Sequence, residues 1–260
     1  MNITDATIMA DEAGRQYHLQ VGPGELAEKI LLVGDPKRAH LAASFFDTIT
    51  VTRENRGYVC VSGMYQGQFL SAMAIGIGAP SAEIALMEAF QLTKKPVLLR
   101  VGTCGGIQGY IQPGDLIVTS GALRFEDTTA QYVPNMYPAL SHHEVVAALI
   151  QNLKKSGYTH HVGLTASTSS FYAGQGREIP GFPSRNLNRV EEMEALHVLN
   201  FEMESSLVLT LAALNQSKAG CLCVALNNRK ENRFIDTAVM YQREKEAVKL
   251  GLDTLLDIEA

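Results

Sequence analysis

The chain has 260 residues, of which 46% are hydrophobic and 19% are charged, and its formal net charge is -5. These values are ordinary for a globular protein, and the acidic balance argues against nucleic acid as a partner. The sequence has no apolar run long enough to cross a bilayer, and its first residues, MNITD, do not resemble a secretory signal. We therefore expect a cytoplasmic protein with a single domain over residues 1–260 and no membrane partner.

Short apolar runs alternate with helical segments along the whole chain, and this alternation is typical of one α/β domain around a largely buried mixed sheet. The runs that predict strands cover residues 30–34, 58–63, 69–77, 97–102, 115–119, 162–168 and 221–226. One predicted helix begins at Pro36. Four others cover residues 81–93, 142–156, 201–215 and 236–257.

Capping residues indicate where these helices begin. Asp35 can cap the helix that starts at Pro36, and Ser141 with Glu144 forms a capping box before the helix over 142–156. The helix over 81–93 is predicted to open at Ser81, and Asn200 is the predicted cap of the helix over 201–215.

Two segments do not fit regular elements. Residues 173–189 contain several glycines and prolines and cannot form one helix or strand. Residues 229–233, RKENR, follow directly after a predicted strand. They are either a solvated loop or a loop that closes over a site, since such loops are common at strand ends.

The cysteines and paired histidines do not indicate a metal site. The cysteine spacing matches no zinc or redox motif, so the four cysteines are interpreted as small core residues of a reduced protein. The histidine pairs at 142–143 and 160–161 are sequence neighbours, whose side chains point in different directions. The cysteines are Cys60, Cys104, Cys221 and Cys223.

Two predicted strands end in a glycine turn with an arginine nearby. Gly34 allows an anion to approach the backbone, and Arg38 follows on the first helical turn. Arg100 interrupts an apolar strand just before Thr103 and further glycines. A buried guanidinium needs an anionic partner, which is either a phosphate or a core carboxylate. The residues alone leave both alternatives open.

Two other segments carry groups suited to a sugar and a planar ring. Glu202 and Glu204 flank Met203 and can accept hydrogen bonds from a diol, although the helix dipole alone also explains acidic residues there. The segment 169–177, SSFYAGQGR, offers an aromatic ring, an amide and a guanidinium beside flexible glycines. Without neighbouring motifs, these would be ordinary loop residues.

Together, the segments GDPKR, NRGY, RVGTCGG, FYAGQGR and FEMES resemble the nucleoside phosphorylase-I family, and within it the members that act on uridine. The similarity spans nearly the whole chain, and the five segments occur in the order of the family. It implies a three-layer α/β sandwich around a twisted, mixed central β-sheet. It also implies homo-oligomers, usually hexamers built as trimers of dimers, with sites shared within each dimer.

The resemblance implies a role for each matching residue. Arg100, Glu204 and Arg177 would be catalytic, and neither a metal nor an organic cofactor is needed, because inorganic phosphate is the co-substrate and the nucleophile. The implied phosphate ligands are Gly34, Arg38, Arg100, Thr103 and, from the neighbouring subunit, Arg56. The implied ribose ligands are Thr103, Met203, Glu204 and the neighbour's His18, and the implied base ligands are Phe171, Gln175, Arg177, Glu202 and Arg229.

Residues 225–229, ALNNR, favour uridine over a purine nucleoside as substrate. Purine-cleaving relatives supply an Asp after this strand to protonate the leaving base, and an Asn amide cannot deliver that proton. The remaining alternatives are a purine nucleoside phosphorylase and a nucleoside-binding protein without activity. A hydrolase is disfavoured by the phosphate arginines. Gly57 stands where some relatives have a potassium-binding Glu, so no dependable potassium site is expected.

Overall fold

The structure is a computed structural model, and it describes residues 3, 5 and 7–259. The strands are β1 (Lys29–Val33), β2 (Thr48–Asn55), β3 (Tyr58–Tyr65), β4 (Gln68–Ala74), β5 (Val97–Gly106), β6 (Leu116–Phe125), β7 (Ala139–Leu140), β8 (His160–Thr168), β9 (Asn200–Glu202), β10 (Lys218–Asn228) and β11 (Arg233–Phe234). The helices are α1 (Pro36–Ala43), α2 (Ala79–Leu92), α3 (His143–Ser156), α4 (Arg189–Ala195), α5 (Ser205–Leu214) and α6 (Thr237–Leu256).

All of these strands belong to one mixed sheet, in the order β11-β10-β6-β8-β9-β5-β1-β4-β3-β2, with β7 paired to β6. Strand β5 is the centre of this sheet. It pairs in parallel with β1 and β10, and near its end it pairs antiparallel with β9. Because β1, β5 and β10 run in the same direction, their carboxyl ends meet at one edge, where α/β proteins usually bind ligands.

Helices cover both faces of the sheet, as the three-layer sandwich requires. On one face, α1, α3 and α6 bury apolar side chains against the strands, and on the other face α2 and α5 do the same. Helix α5 is buried along nearly its whole length, since every residue from Ser205 to Ala212 is buried. The predicted fold class is therefore confirmed.

Three predicted helix starts are corrected by the structure. Helix α2 begins at Ala79, not at Ser81, because Pro80 is tolerated in a first turn where its missing N–H would be unpaired anyway. The capping box before α3 does not form: Ser141 Oγ donates instead to Thr119 O at 2.6 Å, and His142 is the residue before the helix. Helix α5 begins at Ser205, because residues 200–202 form strand β9.

The sequence prediction missed strand β2 and gave different bounds for several other strands. Strand β2 is at the sheet edge and its side chains are mostly exposed, so it has no continuous apolar run. The segment 173–189 is irregular as predicted, apart from a short 3-10 turn at its start, and α4 begins at its last residue. Most predicted strands are longer than expected, whereas β4 ends at Ala74, before the predicted limit of 77.

The cysteines are all free and buried, which confirms their interpretation as core residues. The histidines of the 160–161 pair have different partners: His160 contacts Tyr158 O, while His161 contacts Asp115. The rings of His142 and His143 instead contact each other, with centroids 4.6 Å apart, so the prediction that their side chains point in different directions is wrong for this pair. Within the described chain, no helix combines the length and the apolar character needed to span a membrane.

Candidate active site

The carboxyl ends of β1, β5 and β10 open into a cavity of about 760 Å³. The loop after β8 and the segment between β9 and α5 form its other walls. Of the residues singled out from the sequence, the structure places these at the cavity: Gly34, Arg38, Arg100, Thr103, Phe171, Gln175, Arg177, Glu202, Met203 and Glu204. Gly34 and Glu204, which are 170 positions apart in the sequence, thus line the same cavity.

One end of the cavity carries two arginines, Arg38 and Arg100. The N-cap of α1 determines the position of Arg38. Asp35 accepts a hydrogen bond from Lys37 N at 2.9 Å and caps α1, so Arg38 lies on the first turn of this helix. Burial lowers the pKa of Arg38, and the neighbouring Arg100 charge lowers it further. Among the described residues, Arg38 NH1 and Arg100 Nε have no hydrogen-bond partner. Glu244 partly balances the charge of Arg38. Buried donors without partners on two neighbouring cations still favour an anion between them.

Arg100 also pairs with carboxylates. Its guanidinium forms an ion pair with Glu204 and lies 3.3 Å from Glu202 Oε2, while NH1 donates to Cys223 Sγ at 3.3 Å. Burial lowers the pKa of Arg100, but the two carboxylates outweigh it and hold that pKa well above its ordinary value. Of the two alternatives left open by the sequence, the pairing with core carboxylates is confirmed. Arg100 also lines the cavity, and its role as a phosphate ligand stays a prediction.

Gly102 makes room for this arginine. A Cβ atom at that position would lie 2.3 Å from Arg100 NH1, a distance that no relaxed contact reaches. The guanidinium therefore lies directly over the glycine of its own strand. Gly102 of RVGTCGG thus allows this close approach, and a side chain there would displace the Arg100 guanidinium.

The two carboxylates between β9 and α5 have different surroundings. Glu202 accepts hydrogen bonds from Ser167 Oγ and from the backbone N–H groups of Glu204 and Ser205, both at 2.9 Å. It thereby caps α5 from the preceding strand, and its base-binding role stays a prediction. Glu204 accepts from Gly78 N and pairs with Arg100. Burial and the nearby Glu202 charge raise the pKa of Glu204, whereas Arg100 opposes them.

The aromatic, the amide and the guanidinium of FYAGQGR form one unit. Arg177 stacks over the Phe171 ring at 3.9 Å, donates to Phe171 O, and donates to Gln175 Oε1 at 2.6 Å. The Gln175 amide also donates to Thr168 Oγ1 at 3.1 Å. Burial and the nearby Arg229 charge lower the pKa of Arg177 to about 10, so it is a cation at neutral pH.

Arg229, the remaining predicted base ligand, contacts this unit but does not itself line the cavity. Its NH2 donates to Gln175 O at 3.2 Å, and its NH1 is buried without a hydrogen-bond partner in the described part of the chain. It follows β10, where a bulge at Leu226 shifts the pairing with β5 so that Asn227 lies opposite Gly105. Asn227 and Leu226 both line the cavity, and sequence reasoning had not assigned either to the site.

His18 and Arg56 do not line the cavity of their own chain. The His18 ring contacts Glu88 through Nδ1 at 2.6 Å, and Glu88 also accepts from the backbone N–H of His18 and Leu19. Arg56 has a positive φ of 52° at the turn between β2 and β3 and lies over the Tyr17 ring. Their predicted roles in a neighbouring site stay predictions.

The residues described here do not group three or more His, Cys, Asp or Glu side chains in a way that could hold a metal ion. The cavity instead combines the cations Arg38 and Arg100, the carboxylates Glu202 and Glu204, and the aromatic–amide–guanidinium unit. Such an arrangement suits an anion, a polyol and a planar ring in one site.

Comparisons with known proteins show which family the chain belongs to. The family model described as the phosphorylase superfamily matches residues 28–256. The chain is 41% identical to the uridine phosphorylase of Thermococcus kodakarensis, over 86% of this chain and 81% of that protein. It is 32% identical to the uridine phosphorylase of Escherichia coli, over 91% and 95% of the two chains. It is also 31% identical to the guanosine phosphorylase of Halorubrum lacusprofundi, over 82% and 84%.

The fold is similar to that of a solved structure from a structural and catalytic study of two uridine phosphorylases of the oomycete Phytophthora capsici. The TM-score is 0.85, and the similarity covers 97% of this chain and 98% of that one at 22% sequence identity. At this identity the likeness concerns the fold alone. The whole arrangement of strands and helices is therefore shared with a protein of distant sequence.

Proposed function

Because the chain belongs to the phosphorylase superfamily, we propose that it cleaves uridine with inorganic phosphate, releasing uracil and ribose 1-phosphate. The relatives named uridine phosphorylase, at 41% and 32% identity over most of the chain, support uridine as the substrate. The observation that carries the proposal is the pairing of Arg100, which belongs to the cationic end, with Glu204 in the cavity that Phe171 also lines.

The cationic end is the proposed phosphate subsite. Arg38 NH1 and Arg100 Nε are buried donors with no partner in the described residues, and Thr103 adds a hydroxyl nearby. A phosphate held there is already positioned next to the sugar. The entropy cost of bringing the nucleophile to the substrate is therefore met on binding, which lowers the barrier of the chemical step. Gly34 borders the same end and leaves its backbone open to an anion.

Glu204 and Met203 form the proposed ribose subsite. In the reaction, phosphate oxygen forms a bond to the anomeric carbon while the bond from that carbon to uracil N1 breaks. The ribose therefore becomes cation-like in the transition state. The Glu204 carboxylate, held by Gly78 N and Arg100, accepts hydrogen bonds from the sugar hydroxyls and places a negative charge near the developing positive one.

The opposite wall is the proposed base subsite. The electron pair of the broken bond stays on uracil, whose carbonyl oxygens share the negative charge. Uracil N1 then takes up a proton from solvent, in balance with the proton that the attacking phosphate releases. Arg177 is a cation fixed by Phe171 and Gln175, and Arg229 adds a second guanidinium. Such preorganised donors stabilise a departing anion without needing to transfer a proton.

In this proposal, phosphate is the nucleophile, and neither a metal nor an organic cofactor takes part. We also propose that the active assembly is a homo-oligomer, in which His18 and Arg56 complete the site of a neighbour. The position of both residues outside their own cavity supports this. So does the exposure of several large apolar side chains, among them Ile8, Ile77 and Met87.

One assay tests the proposal: release of free base from uridine, inosine and guanosine, each with and without phosphate. We expect uracil release that requires phosphate and exceeds base release from either purine nucleoside. Base release without phosphate would indicate a hydrolase, and no release from any nucleoside would indicate a binding protein. Faster cleavage of guanosine or inosine would favour a purine phosphorylase. Added chelator is expected to leave the rate unchanged.

A further inference from the structure

A buried serine near the end of β8 lies behind the ion pairs of the cavity wall. Ser167 is fully buried and lies opposite Glu202 where β8 pairs with β9. Its Oγ donates to Glu202 Oε1 and accepts from Ser206 N at 2.9 Å. An ionised carboxylate can only accept, so the hydroxyl proton of Ser167 is directed to Glu202. Ser167 itself is not among the residues that line the cavity.

The two oxygens of Glu202 have different partners. Oε2 accepts from the backbone N–H groups of Glu204 and Ser205, both at 2.9 Å, and lies 3.3 Å from Arg100 NH1. Oε1 accepts from Ser167, and no other hydrogen bond to this oxygen forms within the described chain. The Ser167 hydroxyl therefore determines which oxygen of Glu202 faces Arg100 and the start of α5.

Loss of the Ser167 hydroxyl would leave Glu202 Oε1 buried without its donor, which is costly for a charged group. Arg100 is the cation in contact with Glu202, so the carboxylate would turn to bring both of its oxygens toward the guanidinium. Arg100 Nε has no hydrogen-bond partner among the described residues and is a donor that an anion in the cavity can use. A guanidinium drawn onto Glu202 presents this donor to phosphate less well.

We propose that Ser167 is a positioning residue for the phosphate subsite: by fixing the orientation of Glu202, it keeps the Arg100 guanidinium available to phosphate. This inference rests on the proposed function, which places phosphate beside Arg100. In this role Ser167 acts through Glu202, without contact with either substrate. Its loss should therefore affect the use of phosphate more than the use of uridine.

The first test measures uracil release against phosphate concentration, at saturating uridine, in the parent enzyme and in Ser167→Ala. We expect the KM for phosphate to rise about tenfold or more, the lower limit for a hydrogen bond to a charged group, while the KM for uridine changes much less. Ser167→Thr keeps a hydroxyl on Cβ and should restore most of the phosphate affinity. The increase in Tm that inorganic phosphate gives should be smaller in Ser167→Ala than in the parent, because the increase follows the affinity.

Thr165→Val is the matched control. Thr165 lies two residues before Ser167 on the same face of β8, and its hydroxyl donates to Asn200 Oδ1 on β9 at 2.9 Å. Asn200 is not among the residues that line the cavity. Thr165→Val should therefore lower Tm and leave the KM for phosphate unchanged.

A double variant tests whether Ser167 acts through Glu202. Residues that act as one unit have non-additive effects. Addition of Ser167→Ala to Glu202→Gln should therefore change the KM for phosphate by less than about twofold, because the side chain that Ser167 orients has already lost its charge. A further rise as large as that seen in the parent background would contradict this route.

A folded Ser167→Ala enzyme with the parent's KM for phosphate would overturn this inference and leave the proposed function standing. An equal rise in Thr165→Val would do the same. If Ser167→Ala does not fold, Ser167→Cys gives the comparison, since a thiol occupies the same position with a weaker donor. A parent enzyme that releases no uracil in the presence of phosphate would instead overturn the proposed function.

Discussion

Replacement of Arg100 tests the proposed phosphate subsite. The contacts of this residue predict two separate effects, a loss of catalytic rate and a loss of stability. Arg100→Ala removes the guanidinium from the cationic end and also leaves Glu202 and Glu204 buried without their shared counter-charge. Loss of one preorganised charged donor typically costs about 2.7–4 kcal/mol in the transition state, or about 10²–10³ in rate. Breaking a buried ion pair costs about 3–5 kcal/mol of stability, a large share of an ordinary protein's total.

Arg100→Lys separates these effects. A lysine keeps a positive charge beside the two glutamates but loses the planar fork that binds phosphate oxygens in pairs. We expect Arg100→Lys to melt closer to the parent than Arg100→Ala does. We still expect it to lose about 10–100-fold in kcat/KM, with a raised KM for phosphate, because a charged hydrogen bond contributes about 1.5–3 kcal/mol.

The assay measures uracil release against phosphate concentration, below the Tm of each variant. Arg124→Ala is the control for destabilisation alone, since Arg124 binds Thr129 Oγ1 and the carbonyl of Pro134 and does not line the cavity. It should lower Tm and leave the KM for phosphate unchanged. The reasoning is refuted if both Arg100 variants keep the parent's kcat/KM and its phosphate dependence within about twofold, which is well below the loss expected for a charged hydrogen bond.

Three further predictions follow from the site. Arg177→Ala is expected to lose most uridine cleavage while phosphate still protects the enzyme against heating; a rate equal to the parent's would contradict its role. Arg56→Ala and Arg100→Ala, each inactive alone, should regain part of the activity when unfolded and refolded together, and no recovery in verified mixed oligomers would show that each chain builds its own site. The pKa of Glu204 is raised by burial, so the carboxylate is lost as pH falls through that raised value. The kcat/KM for uridine should therefore decline at a higher pH than an ordinary glutamate would give, and Glu204→Gln should remove this acid limb while lowering the plateau.

Elements that are determined by neighbouring residues in the sequence could be predicted from caps and apolar runs. Asp35 and Pro36 determine the start of α1 through one cap and one fixed φ, and the apolar runs of β5 and β10 identify the buried centre of the sheet. The start of α5 could not be read in this way. Acidic residues are typical of a first helical turn, but Phe201 pairs with β5 and β8, and these contacts come from distant parts of the chain.

The same division applies to the site. Its residue types and their motifs could be predicted, because each lies at a strand end or in a glycine loop. The partners of these residues could not be predicted. Arg100 is shared by two glutamates and Gln175 is bound to Arg177, and the first of these arrangements depends on how separate segments of the chain meet. Asn227 was noted only for the proton it cannot give. Its Oδ1, which has no hydrogen-bond partner among the described residues, can be identified only in the folded structure.

The bulge at Leu226 affects how relatives of this chain should be compared. Leu226 has no partner on β5, so a chain one residue shorter at this point can keep Asn227 opposite Gly105 and Asn228 opposite Gly106. A strand of the present length without the bulge would instead bring Leu226 opposite Gly105 and replace an amide with an apolar side chain. Homologues should accordingly be matched by their pairing partner on β5, because a gap at the bulge changes the apparent alignment without changing the residue that lines the cavity at this point.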